Sequence, residues 1–159
     1  MTPPSLTTIP TGLRLGNLIK QCEQALIAEK HRALHPFDLT VPQYAALLAL
    51  SESPRISGAQ LSRRCGVTPQ AMNGVISLLE GRGLITRAKS EVHAKVLIIQ
   101  LTPAGRALLR KADHEAVRVE RRLMAVFTAE QLADFRAQLD TAIKALTSRQ
   151  PSDPQGVRP

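Results

Sequence analysis

A mainly α fold (α+β) is predicted for this 159-residue chain by three observations. Aromatic residues make up only 3% and Trp is absent, so the core must come from Leu, Ile, Val and Ala, which suits helices more than stacked sheets. Hydroxyl residues followed three positions later by Gln open several apolar-periodic segments, a mark of helix N-termini. Between Ser57 and Leu101 two short helix patterns meet at a tight turn, and two β-type runs follow with a polar loop between them. That order describes a winged helix-turn-helix, flanked by N- and C-terminal helices that read as a helical dimerisation region.

Taken in order, residues 1–10 are rich in Pro and Thr and read as a disordered arm. Leu13 to Leu34 places Leu15, Leu18, Ile19, Cys22, Leu26 and Ala33 on roughly one helical face, and Pro36 ends the helix. Thr40-Val41-Pro42-Gln43 is a capping box, with Leu39 and Tyr44 spaced as its hydrophobic staple. This helix continues through Leu47, Leu48 and Leu50 and breaks at Ser51-Glu52-Ser53-Pro54. Ser57-Gly58-Ala59-Gln60 is a second box, opening a short helix that holds Leu61 and Cys65, and Gly66 supplies the turn. Thr68 caps the next helix with Pro69 at its first position; it runs to about Arg82 and stops at Gly83.

Leu84 to Arg87 and Lys95 to Leu101 read as paired strands. Thr102-Pro103 opens a long helix with the stripe Ala104, Leu108, Ala112, Ala116, Val119, Leu123 and Val126. Thr128-Ala129-Glu130-Gln131 is a third box, stapled by Phe127 and Leu132. The last helix aligns Leu132, Phe135, Leu139, Ala142 and Leu146, and the polar, Pro-rich residues 148–159 read as a disordered tail. The expected division is residues 39–101 as the winged helix-turn-helix, with 11–36 and 103–147 as the helical dimerisation region. One winged-helix core is too small to cover all three long stripes, so a homodimer is the economical way to bury them; a larger bundle within the chain is the rival.

The net charge of +8 favours an anionic partner: nucleic acid, acidic lipid or an acidic protein. Arg55 to Lys95 holds seven Lys or Arg against Glu80 and Glu91, which puts +5 of the charge on the candidate DNA module. No run of about 18 apolar residues suggests a membrane span, and no signal-peptide pattern is seen. Two cysteines do not make a disulfide framework, so a cytoplasmic protein with reduced thiols is expected. No nucleophile–base pair, phosphate-cradling glycine loop or metal-ligand cluster stands out, so neither an enzyme nor a cofactor is expected.

The helix from Pro69 offers the chemistry of base recognition. Met72, Val75, Ile76 and Leu79 form its apolar side. Gln70, Asn73 and Ser77 fall opposite, with side chains able to hydrogen-bond base edges in a major groove. Gly74 either lets the DNA backbone approach or relieves a helix–helix contact. The helix N-terminus and the Thr68 hydroxyl suit a phosphate. Arg63 and Arg64 would hold the DNA backbone, unless one of them is merely a solvated surface residue. The wing contributes Arg87, Lys89, His93 and Lys95.

The chain resembles the MarR family of bacterial regulators from about Leu13 to Leu146. The most specific phrases are Leu78-Leu79-Glu80-Gly81-Arg82-Gly83-Leu84-Ile85-Thr86-Arg87 and Leu101-Thr102-Pro103-Ala104-Gly105-Arg106-Ala107-Leu108-Leu109; Leu39-Thr40-Val41-Pro42-Gln43-Tyr44 also matches. The resemblance implies a triangular homodimer whose terminal helices interlock, each subunit bringing one winged helix to palindromic double-stranded DNA. Where the family usually carries Asp-x-Arg in the wing, this chain has His93-Ala94-Lys95. Lys95 keeps the charge but lacks the planar fork, so the wing is expected to touch mainly phosphate.

The resemblance also implies a site for a small aromatic acid effector, walled by the first, second and fifth helices. Its candidate polar groups are His31, Arg32, His35 and Tyr44; the alternative is that Tyr44 is a core aromatic and the histidines are surface residues. His31 and His35 have zinc-compatible spacing but no companion ligand cluster, so no metal site is expected. A peroxide-sensing branch of the family uses a cysteine in the first helix flanked by tyrosines. Cys22 is on that helix, but Tyr44 is the only tyrosine, so Cys22 and Cys65 read as buried thiols. The function expected is a ligand-responsive, DNA-binding repressor; a protein-binding winged helix and a thiol-redox regulator acting through Cys22 are the alternatives.

Overall fold

The computed structural model describes residues 9–89 and 97–148. The first helix, α1 (Leu15–Leu34), starts two residues later than its periodicity suggests, after a 3₁₀ turn at Thr11–Leu13. Arg14 occupies the N-cap in extended backbone, without a side-chain capping bond. At the far end Pro36 converts the chain to a second 3₁₀ turn, His35–Phe37, and Asp38 follows with φ 53. This elbow leads into α2 (Val41–Glu52), where the Thr40 hydroxyl accepts from Gln43 N and the Gln43 side chain accepts from Thr40 N.

The same reciprocal cap starts α3 (Gly58–Cys65) at Ser57 and α6 (Ala129–Thr147) at Thr128. Gly66, at φ 64, makes the turn between α3 and α4 (Pro69–Gly81), and the Thr68 hydroxyl accepts from Ala71 N at 3.2 Å. The three capping boxes and the Thr68 cap stand where the residues place them, because each needs only a hydroxyl or amide within one helical turn.

The expected hairpin is present as β2 (Ile85–Lys89) and β3 (Leu97–Leu101), antiparallel with Ile85 opposite Leu101 and Arg87 opposite Ile99. A third strand, β1 (Ile56–Ser57), pairs with the other edge of β3 and gives the order β1-β3-β2. The sequence hides β1, since two residues are too few to show alternation. The expected residues His93 and Lys95 lie outside the described residues, as do residues 1–8 and 149–159 of the expected arm and tail.

The chain divides into two compact units, one ending at Val119 and one beginning at Glu120. The core of the first is aliphatic: Leu34, Leu47, Leu50, Leu61, Met72, Leu79 and Ile85 are fully buried. Leu109, Ala112 and Ala116 of α5 (Pro103–Met124) join it. The buried face of α5 therefore runs through Gly105, Leu109, Ala112 and Ala116, not through Ala104, which is exposed. Steps of four residues drift about 40° each around a helix, so the predicted stripe, exposed at Ala104 and half-buried at Leu108, reaches the core side only at Ala112 and Ala116. What sets the rotation is Gly105: a Cβ there would stand 2.0 Å from the Leu84 carbonyl oxygen.

In the second unit α6 has no buried residue, and Phe127 stacks on Phe135 at 5.2 Å between ring centroids. Phe135 and Leu146 of the expected apolar face are exposed. On α1 the stripe Leu15, Leu18 and Ile19 is also exposed, and with it Cys22. The expectation of a buried Cys22 thiol is thus corrected: the thiol is exposed. Cys65 is half-buried beside the core as expected, and burial pushes its thiol pKa up, away from thiolate chemistry. Among the described residues no helix is long and apolar enough to cross a membrane.

Candidate nucleic-acid interface and ligand cleft

On α4 the two faces separate as the sequence predicts. Met72, Ile76 and Leu79 are buried, Val75 is half-buried, and Gln70, Asn73 and Ser77 are exposed along the other side. A short N-cap turn holds this strip on a helix whose apolar side is locked into the core, so three polar side chains are presented in fixed order. Thr68 spends a lone pair on Ala71 N and keeps its hydroxyl hydrogen available to donate. Arg63 and Arg64 are both exposed in the last turn of α3. Arg64 also borders a small pocket of about 370 Å³ with Lys30, Tyr44 and Cys65.

Gly74 lies on the exposed side, and a Cβ there would meet nothing within 4 Å. Relief of a helix–helix contact within the chain is therefore not its role. Gly74→Ala should raise stability by about 1 kcal/mol, the helix-propensity gain. If DNA backbone approaches at this position, the same change should weaken DNA binding by about 1–3 kcal/mol, as overpacking does. Denaturant melts and DNA titrations of the one variant give opposite signs; an unchanged DNA affinity would rule out close approach at Gly74.

The wing base differs from expectation. Arg87 does not project freely: its Nε lies 2.9 Å from Glu80 Oε2 and its Nη2 donates to Ser77 Oγ at 3.2 Å. The side chain ties β2 to the exposed polar side of α4, so Arg87 and Ser77 occupy each other. Lys89, at the end of β2, is exposed.

Of the four expected ligand residues, three come together. His31, Arg32 and His35 line an open cleft of about 980 Å³ with Pro36, Asp38, Leu39, Thr40, Gln43, Leu78 and Arg82. Its walls are α1, the elbow, α2 and the C-terminal end of α4, not α5. Tyr44 is not among them. It is buried, and its hydroxyl donates to Asp113 Oδ1 at 2.7 Å, joining α2 to α5. Arg32 is ion-paired with Glu29 on its own helix. The expected pairing of one ligand with both Arg32 and Tyr44 therefore finds no common site.

Of the cleft residues that sequence reasoning did not name, Arg82 and Leu78 come from α4, a helix not expected to wall it. Arg82 donates to the Asp38 and Phe37 carbonyls and lies 3.7 Å from Asp38 Oδ2. It stood in plain view inside the resemblance phrase, but nothing in its neighbours along the chain marks a partner in the elbow.

The MarR family profile matches residues 37–95. The HTH-type transcriptional repressor Rv2887 of Mycobacterium tuberculosis is 38% identical over 126 residues, covering 79% of this chain and 91% of that protein. Among solved structures, the Mycobacterium tuberculosis MarR family protein Rv2887 in complex with DNA aligns with a TM-score of 0.64 at 34% identity, over 89% of this chain and all of the other. Its complex with salicylic acid aligns with a TM-score of 0.65 at 36% identity, over 86% of this chain and 98% of the other. Identity at this level along nearly the whole length of a repressor, on the same winged-helix frame, shows that the chain belongs to the MarR family.

Proposed function

We propose that this protein is a ligand-responsive transcriptional repressor that binds a palindromic DNA operator as a homodimer and is released by a small aromatic acid. The exposed strip Gln70–Asn73–Ser77, held on a helix anchored by Met72, Ile76 and Leu79, carries the reading. Gln70 and Asn73 read base edges, while Arg63, Arg64, Thr68 and Lys89 hold phosphates, a role shared by His93 and Lys95. Arg87 and Ser77 serve by fixing the wing against α4. The exposed apolar residues of α1 and α6 supply the dimer contacts, with residues 39–101 as the DNA-binding part. The effector enters the cleft of His31, His35 and Arg82, whose cationic rim and apolar floor suit an anionic ring compound. The protein acts in the cytoplasm by binding and not by turnover.

The test is fluorescence anisotropy of the full chain on a duplex carrying its own promoter region, against a shuffled duplex at equal salt. Tight binding of two chains per promoter duplex, with at least about 10³-fold preference over the shuffled sequence, is expected. Equal affinity for both duplexes would refute the repressor reading and leave a winged helix without operator recognition.

A further inference from the structure

The cleft meets the recognition helix α4 at Leu78 and at Arg82, the C-cap residue of that helix. The Arg82 guanidinium reaches 44 residues back along the chain to the elbow between α1 and α2. There it donates to the carbonyls of Asp38 and Phe37 and faces the Asp38 carboxylate. One side chain, lying along the cleft, thus straps the end of the recognition helix to the elbow. Gly81 and Gly83 flank Arg82, Gly83 has φ 68, and a Cβ at either would meet nothing within 4 Å.

We propose that Arg82 is the switch residue of this cleft: an aromatic carboxylate takes its guanidinium from the elbow and so frees the C-terminal end of the recognition helix. This rests on the effector reading above and adds how the ligand reaches the DNA-binding face. The partners Arg82 now holds are two neutral carbonyl oxygens and a carboxylate that is 95% exposed and screened by water. A ligand carboxylate seated in the cleft offers two charged acceptors in the plane of the guanidinium fork, the stronger pairing. Arg32, His31 and His35 share the cleft, but of its two arginines only Arg82 stands at the end of α4, so an anion held there acts on that helix. Pro36, Leu39 and Leu78 provide the apolar surface for a ring. To accept the ligand bidentately Arg82 gives up at least one carbonyl of the elbow. The helix end then follows the ligand instead of the elbow, which shifts the population away from the spacing an operator selects.

Salicylate is the probe, with salicylamide as its uncharged counterpart, measured by calorimetry and by anisotropy on operator duplex with the full chain. Wild type is expected to bind salicylate and not salicylamide, and salicylate is expected to weaken operator binding. Arg82→Gln should lower salicylate affinity at least tenfold and, because the strap to the elbow is already cut, should bind operator more weakly than wild type, with no further loss on adding salicylate. Arg82→Lys, which keeps the charge without the fork, should fall between. Asp38→Asn keeps both elbow carbonyls and tolerates the left-handed backbone but removes the competing carboxylate; it should bind salicylate several-fold more tightly, and this gain should vanish when Asp38→Asn is combined with Arg82→Gln, whereas mere removal of an anion from the cleft would help in both backgrounds. Should Arg82→Gln fail to fold, the Lys and Asp38→Asn variants decide. Unchanged salicylate affinity in folded Arg82 variants, or no gain in Asp38→Asn, overturns the switch. Wild type that binds operator but not salicylate overturns it too and leaves the DNA-binding reading standing, whereas failure to bind operator while Arg82-dependent salicylate binding holds removes only the latter reading.

Discussion

Gly105→Ala is expected to destabilise the fold by about 3 kcal/mol, the upper end of what overpacking costs. The added Cβ would lie 2.0 Å from the Leu84 carbonyl oxygen and 3.0 Å from its carbonyl carbon. These are backbone atoms, so no side-chain rotation relieves the clash. Moving Leu84 disturbs the bond from Thr102 N to Leu84 O, and moving α5 disturbs the cap in which Gly105 N donates to the Thr102 hydroxyl at 2.9 Å. Thr102 in turn donates to Gly83 O at 2.7 Å, so one methyl strains the junction of α4, the hairpin and α5 together. For a chain of this size the loss corresponds to a melting temperature lower by roughly 6–12 °C. Circular dichroism melts and urea titrations measure it. A variant within about 0.5 kcal/mol of wild type would mean that α5 can retreat from the hairpin at no cost, contrary to this packing.

The second large effect concerns salt. If Arg63, Arg64, Lys89 and Lys95 of each protomer contact phosphate, a dimer makes about eight such contacts, and raising salt from 50 to 200 mM should weaken operator binding roughly 10⁴-fold by counterion release. Arg87 is not counted, because Glu80 already holds it. Replacing Arg63 by Gln in both copies should lower the slope of log affinity against log salt by about 2 and leave base preference intact. Asn73→Ala should do the reverse: the slope stays, while discrimination at one base of each half-site drops by about 1–3 kcal/mol. Titrations at four salt concentrations on the operator and on single-base variants separate the two. If Asn73→Ala flattened the slope, or left every base preference in place, the assignment of the α4 strip to base reading would fail.

These three variants probe different layers of the molecule, and the layers differ in how far a sequence reveals them. Caps at Thr40, Ser57, Thr68 and Thr128, the turn at Gly66, the recognition strip and the hairpin are all legible in the chain, because each depends on hydrogen bonds and sterics within a few residues. The candidate cleft was legible in part: the expected residues His31, Arg32 and His35 lie within about one helical turn and share it, whereas Tyr44 turns away to a partner 69 residues on.

By itself, then, the sequence determined the order and type of the helices, the winged module and the polar face of α4. Tertiary structure alone decided the rotation of α5, the extra strand β1, the seat of Arg87 on Glu80 and the reach of Arg82 to the elbow. Local signals end within a helical turn or two. Which distant backbone lies beside Gly105, or which carbonyls await Arg82, depends on how packed elements meet, and no short-range pattern carries that information.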